Sequence, residues 1–474
     1  MRGTKMSSRS ARVFAVLTAV GLLGAVMAAP SGAATRTAAQ VTKKSLQIVL
    51  IVPDIDALRA KGINVSNLST ADFTKRFQGY VDAFGPINGR KIEVKAVGWD
   101  PIDATSFDKA CTAAAIDNKP FVVINGSGFQ GQSIPCISVD NKTPFISGDM
   151  AYGQLLKASG KNLLTIGLPA EVAANAAAAL VAKTGVVPKT AKIGILSSNI
   201  PGIKAAADTL EAQLKKRGYD VVSKVELNGL AADAGLLNRE SAAAADTFQA
   251  KGVDTVFNTQ SFTQLSGFFG EVEKGNLDFK VYGIDGQANA CTPFSAGRAA
   301  YAEGTTCITA WDTKSVATKD SLKPDNALEA KCRKEFDAAT GKKSLPGGTS
   351  GATTINGVTY EGDLAPPECM IANLLLPAIK KAGKNPTWDK VYANLLATTK
   401  APAAYLSQGQ GGFGKNKPYF ANPVMHFEMM VNATADTPKD ANGLYNGCGI
   451  PGACWVPVLV NGQEWFKVSA NAKA

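Results

Sequence analysis

The sequence predicts an α/β protein that consists of two successive lobes, each with a parallel sheet covered by helices on both faces. Two observations support this prediction. Apolar, strand-like runs alternate with segments of helical periodicity along most of the chain, and the series starts again after a less hydrophobic stretch at residues 152–162. The first run, residues 46–52, is almost entirely apolar, which is typical of a parallel strand buried on both faces.

The first series contains four predicted strands, and two of them end in small or polar residues. The third strand leads into Asn125-Gly126-Ser127-Gly128, and the fourth is followed by Gly148-Asp149. Because sheets of this kind bind ligands at the carboxyl ends of their strands, these loops are the first place to expect a site. The predicted elements are a strand at 46–52, a helix at 73–84, a strand at 92–97, a helix at 107–116, and strands at 121–124 and 144–147.

The second series repeats the pattern, and a more helical and interrupted region follows it. A glycine-rich segment at 409–414 is interpreted as a tight or flexible connection, because no strand leads into it and no helix follows, as a phosphate-binding loop requires. The predicted elements are strands at 163–168, 192–196, 221–225, 253–257 and 280–284; helices at 170–182, 204–216, 240–251, 262–274, 327–340, 368–382 and 388–397; a hairpin insertion within 341–362; a strand at 425–431; and a closing hairpin of 456–460 and 464–468 around Asn461-Gly462.

The N-terminus has the three parts of a secretory signal peptide. Basic residues precede an apolar stretch at 13–29, and small residues follow at 31–34. The alternative, a membrane anchor, is disfavoured because polar and glycine residues interrupt the stretch, which is shorter than the roughly 20 residues that a span needs. We therefore expect residues 1–34 to be cleaved and the mature chain to be secreted. Since no cysteine precedes Cys111, we expect no lipid anchor.

The charge of the chain argues against a nucleic-acid-binding protein. The formal net charge is +11, but seven lysines and arginines and no acidic residue lie in the first 44 residues. Subtracting these seven charges leaves +4 for the chain from Ser45 onward. No arginine-rich run or basic and aromatic interleaving accompanies this small excess, so we expect no nucleic-acid partner.

Eight cysteines in an exported chain indicate disulfides. Eight cysteines allow about 105 arrangements, and the sequence alone does not decide among them. Metal binding is the weaker alternative, because no Cys-x-x-Cys occurs and the chain has one histidine. We favour pairing between neighbours in the sequence: Cys111 with Cys136, Cys291 with Cys307, Cys332 with Cys369, and Cys448 with Cys454.

The sequence lacks the motifs of common catalytic sites. Hydrolases with a serine or cysteine nucleophile need a histidine base, and the single histidine, His426, lies in an apolar run at 424–427. We interpret it as a strand histidine with its polar groups satisfied or at the surface. No nucleophile elbow, metalloprotease motif, phosphate-binding loop or dinucleotide fingerprint occurs in a strand-to-helix context. We therefore expect no metal or cofactor, and binding rather than catalysis.

Three segments resemble a known family. Ile87-Asn88-Gly89-Arg90-Lys91-Ile92-Glu93-Val94, followed by Trp99-Asp100-Pro101, is similar to the first helix-to-second-strand junction of type I periplasmic solute-binding proteins of ABC transporters, the branched-chain amino-acid-binding (Leu/Ile/Val-binding) kind. Residues 283–289, with Glu303-Gly304 before Trp311, resemble the end of the second lobe in that family. Residues 368–383 resemble the helix in which the chain has returned to the first lobe.

The resemblance implies a fold and a division into domains. It implies two doubly wound parallel-sheet lobes joined by crossover hinge segments, with the ligand in the cleft between them and closure as the functional motion. The first lobe is then expected to comprise residues 45–160 and 312–398, and the second residues 161–311 and 399–474.

The resemblance also implies a binding site. Ser127 and Gly128 match positions that hold a ligand carboxylate through a hydroxyl and backbone N–H groups, and Asp285 matches an acidic residue that receives the ligand ammonium. A purely structural reading remains open, because Gly128 can serve a turn and Asp285 can cap a helix. The remaining positions that the resemblance assigns to ligand contacts are Gly148, Asp149, Met150, Asn199 and Gln260.

The sequence thus predicts a monomeric, non-enzymatic solute-binding protein. It is expected to capture a small polar or amphipathic, amino-acid-like molecule and to deliver it to the membrane permease of an ABC transporter. One alternative is a secreted enzyme that reuses the fold, in which Asp149 and Asp285 would form a carboxylate pair about 5–9 Å apart. Another is a sensory ligand-binding protein that docks on a receptor.

Overall fold

The computed structural model covers most of the predicted mature chain. The expectations for residues 1–34, Ser127, Gly128, Asp149, Met150, Cys291 and Cys448 lie outside the described residues, as do the side chains of Asp285 and Cys454. The described residues are 42, 44–60, 67–100, 103–126, 133–148, 151–228, 234–260, 262–285, 302–312, 326–344, 353–355, 357–361, 367–434, 436–439 and 452–469.

The strands confirm the alternating pattern that the sequence predicts. They are β1 (Ser45–Pro53), β2 (Lys91–Trp99), β3 (Val122–Asn125), β4 (Phe145–Ser147), β5 (Leu163–Thr165), β6 (Lys192–Ser198), β7 (Asp220–Leu227), β8 (Thr255–Asn258), β9 (Lys280–Asp285), β10 (Thr306–Thr309), β11 (Lys343–Ser344), β12 (Thr353–Ile355), β13 (Val358–Glu361), β14 (Ala401–Pro402), β15 (Gln410–Gly411), β16 (Val424–Ala433), β17 (Gly452–Val458) and β18 (Phe466–Lys467).

The helices begin and end at recognisable signals. In α2, for example, Ser69 and Asp72 form a reciprocal capping box, and Gly85 stops the helix with a φ of 84°. The helices are α1 (Ile55–Ala60), α2 (Thr70–Phe84), α3 (Ala104–Cys111), α4 (Ser133–Pro135), α5 (Gly153–Ser159), α6 (Ala170–Thr184), α7 (Pro201–Lys216), α8 (Ala234–Ala250), α9 (Phe262–Lys274), α10 (Ala327–Thr340), α11 (Pro367–Lys381) and α12 (Trp388–Leu396); wider π-helical turns follow α3 (Thr112–Asp117) and α4 (Cys136–Asp140).

The two main sheets of the described residues share one strand order. The first has the order β2-β1-β3-β4-β5, and all its pairs are parallel. The second has the order β7-β6-β8-β9-β10-β16-β17, and its first five strands are parallel. Both parallel portions therefore have the doubly wound order 2-1-3-4-5. This confirms the predicted α/β fold with two wound sheets.

Both faces of each main sheet are buried, which explains the apolar strands. In β1, Ile48 and Leu50 pack with Phe73 and Phe77 of α2, whereas Val49 and Ile51 belong to a separate core on the other face. The second sheet is covered in the same way, by α6 and α7 on one face and by α8 and α9 on the other. Helices α10, α11 and α12 come after β10 in the chain, but they pack with α2 and β1 of the first sheet. Trp388 of α12, for example, contacts Phe121.

One strand belongs to a different sheet from the one that the sequence predicted. Leu163–Thr165 was expected to begin the second lobe, but it pairs in parallel with Phe145–Ser147 of the first sheet. The polar stretch before it is not a boundary: it contains α5, whose Leu155 and Leu156 are buried, and this helix is the crossover that a parallel neighbour needs. The predicted boundary between the lobes, at residue 160, therefore precedes a strand that still belongs to the first sheet.

The predicted closing hairpin also differs from the observed structure. Asn461 and Gly462 form the expected tight turn, with φ values of 53° and 77°, but the arms pair with each other only at Val460 and Gln463. Both β17 and β18 instead pair with β16. The turn therefore connects two strands that each lie antiparallel to β16 in the second sheet. Strand β16 provides backbone hydrogen-bond partners along its whole length, whereas the two arms of a short hairpin provide only each other. The predicted hairpin insertion, by contrast, is confirmed by β12 and β13.

Two of the predicted disulfides are confirmed. Cys111 at the end of α3 bonds to Cys136, and Cys332 in α10 bonds to Cys369 in α11. Cys307 is also disulfide-bonded. The first two bonds each join neighbours in the sequence, as expected.

None of the described helices is both long enough and apolar enough to cross a membrane.

Candidate functional site

Buried polar residues end the central strands of the first sheet. Asn125, Ser147 and Thr165 lie side by side at the carboxyl ends of β3, β4 and β5, and each is at most 1 % exposed. The Asn125 side chain donates from Nδ2 to the carbonyl of Ile51 in β1, over 3.4 Å. Asn125 therefore spans the point between β1 and β3 where the winding reverses, which is where ligands bind to open α/β sheets.

Gly148 brings two backbone segments together at this edge. Its N–H donates to the carbonyl of Asn125 over 2.8 Å. A Cβ atom at position 148 would lie 1.8 Å from the carbonyl oxygen of Gly126 and 3.0 Å from Cβ of Pro367, at the start of α11. Only glycine fits here. The predicted site residue Gly148 therefore allows the backbone segments at the carboxyl end of the first sheet to approach each other closely.

The second sheet has a matching arrangement at its own reversal point, between β6 and β8. Gln260 is 2 % exposed, and its Nε2 donates to the carbonyl of Ser197 over 2.5 Å. Asn258 holds the turn after β8, because its Oδ1 accepts from the N–H of Gln260 and its Nδ2 donates to the carbonyl of Gln260. Oε1 of Gln260 and Oγ of Ser198 are buried and have no hydrogen-bond partner among the described residues.

The structure places the described members of the predicted site at the ends of strands in both sheets. Gly148 follows β4 of the first sheet. Asn199 follows β6 and is exposed, and its N–H donates to the carbonyl of Leu227. Gln260 follows β8, and the backbone of Asp285 ends β9. The second-sheet residues thus share one edge of that sheet.

Sequence reasoning placed Asn125 in the first loop where a site is expected but gave it no role, and it missed Ser198 and Asn258. These three polar residues are the last residues of β3, β6 and β8. Their position at the ends of predicted strands was the sign in the sequence that could have identified them, because a fully buried polar side chain at the carboxyl end of a parallel strand needs a specific partner. Among the described residues, no group of three His, Cys, Asp or Glu side chains could hold a metal ion.

The chain passes between the two sheets three times, and we call these passages the crossing segments. The first comprises residues 166–169, the second residues 310–312, and the third residues 398–423. The third is hydrogen-bonded to the first and to the end of β5, where the N–H groups of Ala421 and Phe420 donate to the carbonyls of Ile166 and Thr165.

The second and third crossing segments are also joined. The N–H of Asp312 donates to the carbonyl of Tyr405, and the N–H of Ser407 donates to the carbonyl of Ala310. Oγ of Ser407 in turn donates to the carbonyl of Asn422 over 2.8 Å. The three crossing segments therefore form one hydrogen-bonded unit, which we call the hinge region because it connects the two sheets.

A half-buried lysine holds the third crossing segment in place. Nζ of Lys417 donates to the carbonyls of Gly412 and Phe420 and to Oδ1 of Asn422. Burial lowers the pKa of Lys417 to about 8. The glycine-rich segment is packed tightly around it: a Cβ on Gly412 would lie 2.0 Å from the carbonyl oxygen of Thr399. The segment is thus a tight connection within the hinge.

Comparisons with known proteins show the fold. No protein-family model and no curated protein matches the sequence. Among solved structures, a fatty acid ABC transporter substrate-binding protein from Thermomonospora curvata superimposes with a TM-score of 0.61 at 15 % identity, over 92 % of this chain and 96 % of that one.

Two further structures are similar. A solute-binding protein of an ABC transporter from Rhodopseudomonas palustris BisB5, in complex with 3,4-dihydroxybenzoic acid, has a TM-score of 0.59 at 14 % identity, over 91 % of this chain and 99 % of that one. An ABC transporter substrate-binding protein from Desulfitobacterium hafniense, in complex with Leu, has a TM-score of 0.54 at 13 % identity, over 82 % of this chain and 98 % of that one. These matches confirm the predicted type I periplasmic-binding-protein fold.

Proposed function

We propose that this protein is an extracytoplasmic solute-binding protein that captures a small molecule between its two lobes and delivers it to the permease of an ABC transporter. The observation that carries the proposal is the pair of wound sheets with the same strand order, each ending in buried polar groups at its reversal point. Ligand contacts on both lobes would favour the closed state. The structural neighbours that are named for binding ABC transporter substrates support this role.

The proposal also covers the N-terminus, the bounds of the first lobe and the remaining residues of the binding site. We propose a secreted monomer whose residues 1–34 are removed, and a first lobe that extends to Thr165 and resumes after the second crossing segment. Ser127, Gly128, Asp149 and Met150 are proposed to complete the first-lobe wall, and Asp285 the second. The role is binding without catalysis, in line with the neighbours, which are named as binding proteins.

We propose a carboxylate-bearing ligand with an apolar body. The molecules named for the structural neighbours, a dihydroxybenzoic acid, leucine and fatty acids, all share this chemistry. In this sequence, no lysine or arginine occupies the two positions after any of the strands β1 to β10. A carboxylate would therefore be held by hydroxyl, amide and backbone N–H donors. The ligand panel described next decides whether the ligand is an amino acid, an aromatic acid or a fatty acid.

A ligand panel tests the proposal by thermal unfolding. We expect one class among leucine, benzoate, 4-hydroxybenzoate and decanoate to raise the melting temperature, because a ligand at about 100 times its Kd adds about 2.7 kcal/mol to the stability of the state that binds it. Differential scanning fluorimetry measures the shift, and isothermal titration calorimetry then gives the affinity. A neutral sugar such as glucose is the control. If no carboxylate stabilises the protein, the proposed ligand class is wrong.

Gln260 is expected to contact the ligand. Its Oε1 is a buried acceptor without a partner among the described residues, which suits an O–H or N–H donor of a bound molecule. If the stabilising panel member is leucine or 4-hydroxybenzoate, each of which carries such a donor, replacing Gln260 by methionine should weaken its binding roughly three- to tenfold, the worth of one neutral hydrogen bond.

A matched control separates this effect from a general loss of a buried amide. Gln47 in β1 also has a buried Oε1 without a described partner, but it lies in the amino-terminal half of its strand. Gln47→Met should leave the affinity unchanged in calorimetric titration. Equal affinities of the two variants would remove Gln260 from the site.

A further inference from the structure

The only histidine of the chain joins three segments at the edge of the hinge region. His426 lies in β16 and is 1 % exposed, and its ring stacks on Trp465 with centroids 3.8 Å apart. Nε2 lies 2.8 Å from the carbonyl oxygen of Trp311 in the second crossing segment and 3.3 Å from Oε1 of Glu428. Nδ1 lies 3.5 Å from Oε1 of Glu464, in the loop before β18.

The surroundings of this ring favour its protonated form. The oxygens that face its two nitrogens belong to a carbonyl and to carboxylates, so they accept hydrogen bonds and donate none when the acids are ionised. A neutral imidazole carries one N–H, whereas an imidazolium carries two. Only the charged ring can therefore present a proton to Trp311 on one side and to Glu464 on the other.

The charged groups around the ring come from each element packed against it. They are Glu428 on the same strand, Glu464 on the loop before β18, and Asp312 in the second crossing segment. Burial is the largest single influence and lowers the pKa of His426, but these carboxylates and the bond to Trp311 together raise it above its usual value. The pKa direction agrees with the geometry.

The second crossing segment, which the ring contacts, is bonded on its other side to a strained loop. The second crossing segment is hydrogen-bonded to residues 405–409, in which Tyr405, Ser407 and Gln408 have φ values of 59°, 49° and 54°. Left-handed backbone at residues other than glycine is costly and occurs where the surrounding structure holds it. The second crossing segment is therefore held between a strained loop on one side and the His426 ring on the other.

We propose that protonated His426 is a clasp that fixes the second crossing segment to the second lobe, so that the opening and closing of the two lobes depends on pH. This inference rests on the two-lobed closure in the proposed function, but it needs no ligand. Because the folded state raises the pKa, the clasp is complete below the unfolded value of about 6.5 and is lost as the pH rises through the folded value. In the neutral ring, the tautomer with its proton on Nε2 keeps only an uncharged, weaker bond to Trp311 and turns its Nδ1 lone pair toward Glu464, and the other tautomer loses the bond to Trp311.

The first test measures the charge of the ring directly. Since the chain has one histidine, isotope-labelled protein with a purification tag free of histidine gives a single set of imidazole resonances in NMR spectra. We expect the midpoint of a titration from pH 5 to pH 10 to lie above the usual value of about 6.5. Glu464→Gln, which removes one facing carboxylate, should move the midpoint to lower pH. A midpoint below about 6.5, or a ring that does not titrate, would overturn the proposal.

The second test measures the hinge. Small-angle X-ray scattering without ligand should give a different radius of gyration at the two ends of the NMR titration for the wild type, and the same value at both ends for His426→Gln. If His426→Gln does not fold, Glu464→Gln serves instead, with the scattering change shifted to lower pH in step with its NMR midpoint. Lys417→Met should keep the pH dependence of the wild type, which separates the histidine from the other hinge group that titrates in this range.

The outcomes of the two tests are distinct. Scattering that stays constant while the histidine changes charge would refute the clasp and leave the proposed function intact. A ligand panel without any binder would refute the proposed ligand class and leave the scattering result to stand.

Discussion

Replacing Arg76 by methionine should lower the free energy of unfolding by about 3–5 kcal/mol, the cost of removing one partner of a buried ion pair. Arg76 is 0 % exposed, and its Nε and NH2 groups donate to Oε2 of Glu368 over 3.1 Å and 2.5 Å. Glu368 is 1 % exposed at the start of α11, and the guanidinium also lies over the ring of Phe73 at 4.6 Å. The variant removes the cationic partner of the Glu368 carboxylate and replaces the arginine by an apolar side chain of similar size.

Urea denaturation measures this loss, with two reference variants. Arg76→Met combined with Glu368→Leu removes both charges and should recover most of the stability, since apolar replacements of buried pairs are often neutral. Lys161→Met breaks a pair with Asp389 whose side chains are 56 % and 65 % exposed, and it should change stability by less than about 1 kcal/mol. A double variant as unstable as Arg76→Met alone would show that the charge of Glu368 is not the cause.

Replacing Gly148 by alanine should cost about 3 kcal/mol, the upper end of what overpacking costs, and should abolish binding of the panel ligand. The added Cβ would lie 1.8 Å from a backbone oxygen, so the ends of β3 and β4 must move apart. Because the carbonyl of Asn125 accepts from the N–H of residue 148, this movement also displaces the edge at which the ligand is proposed to bind.

A second glycine of the same sheet provides the control for this prediction. Gly98 lies near the end of β2, and a Cβ there would meet its nearest atoms at 3.9 Å, an ordinary contact. Gly98→Ala should therefore keep both the stability, within about 1 kcal/mol, and the affinity. Denaturation and calorimetric titration of both variants measure these effects. Similar losses in the two variants would mean that the close contact at Gly148 is not responsible.

The fold could be predicted because its strands are apolar on both faces and its helices carry clear end signals. The runs at β1 and β6 show this for strands, and α10 lies at the predicted residues because Asn326 caps it and Gly341 ends it. Sheet membership was harder to predict. Leu163–Thr165 is three residues long, and only its pairing with β4, a long-range contact, decides which sheet it joins.

The location of the candidate site could be predicted, but its chemistry could not. Gly148 and Gln260 follow strands that the sequence shows, and their position at carboxyl ends follows from parallel winding. No role could be assigned to Asn125, and Asn258 was missed, because their importance depends on hydrogen bonds across neighbouring strands and turns. The clasp at His426 depends on Trp311, which is 115 residues away in the sequence. A linear pattern contains no sign of such a contact.

A crystal structure of the protein with the panel ligand that stabilises it most would show whether the ligand bridges the two lobes. We expect density for one small molecule that touches the edge at Gly148 in the first lobe and Gln260 in the second. A ligand that contacts a single lobe, or an edge filled by the protein's own side chains, would contradict it.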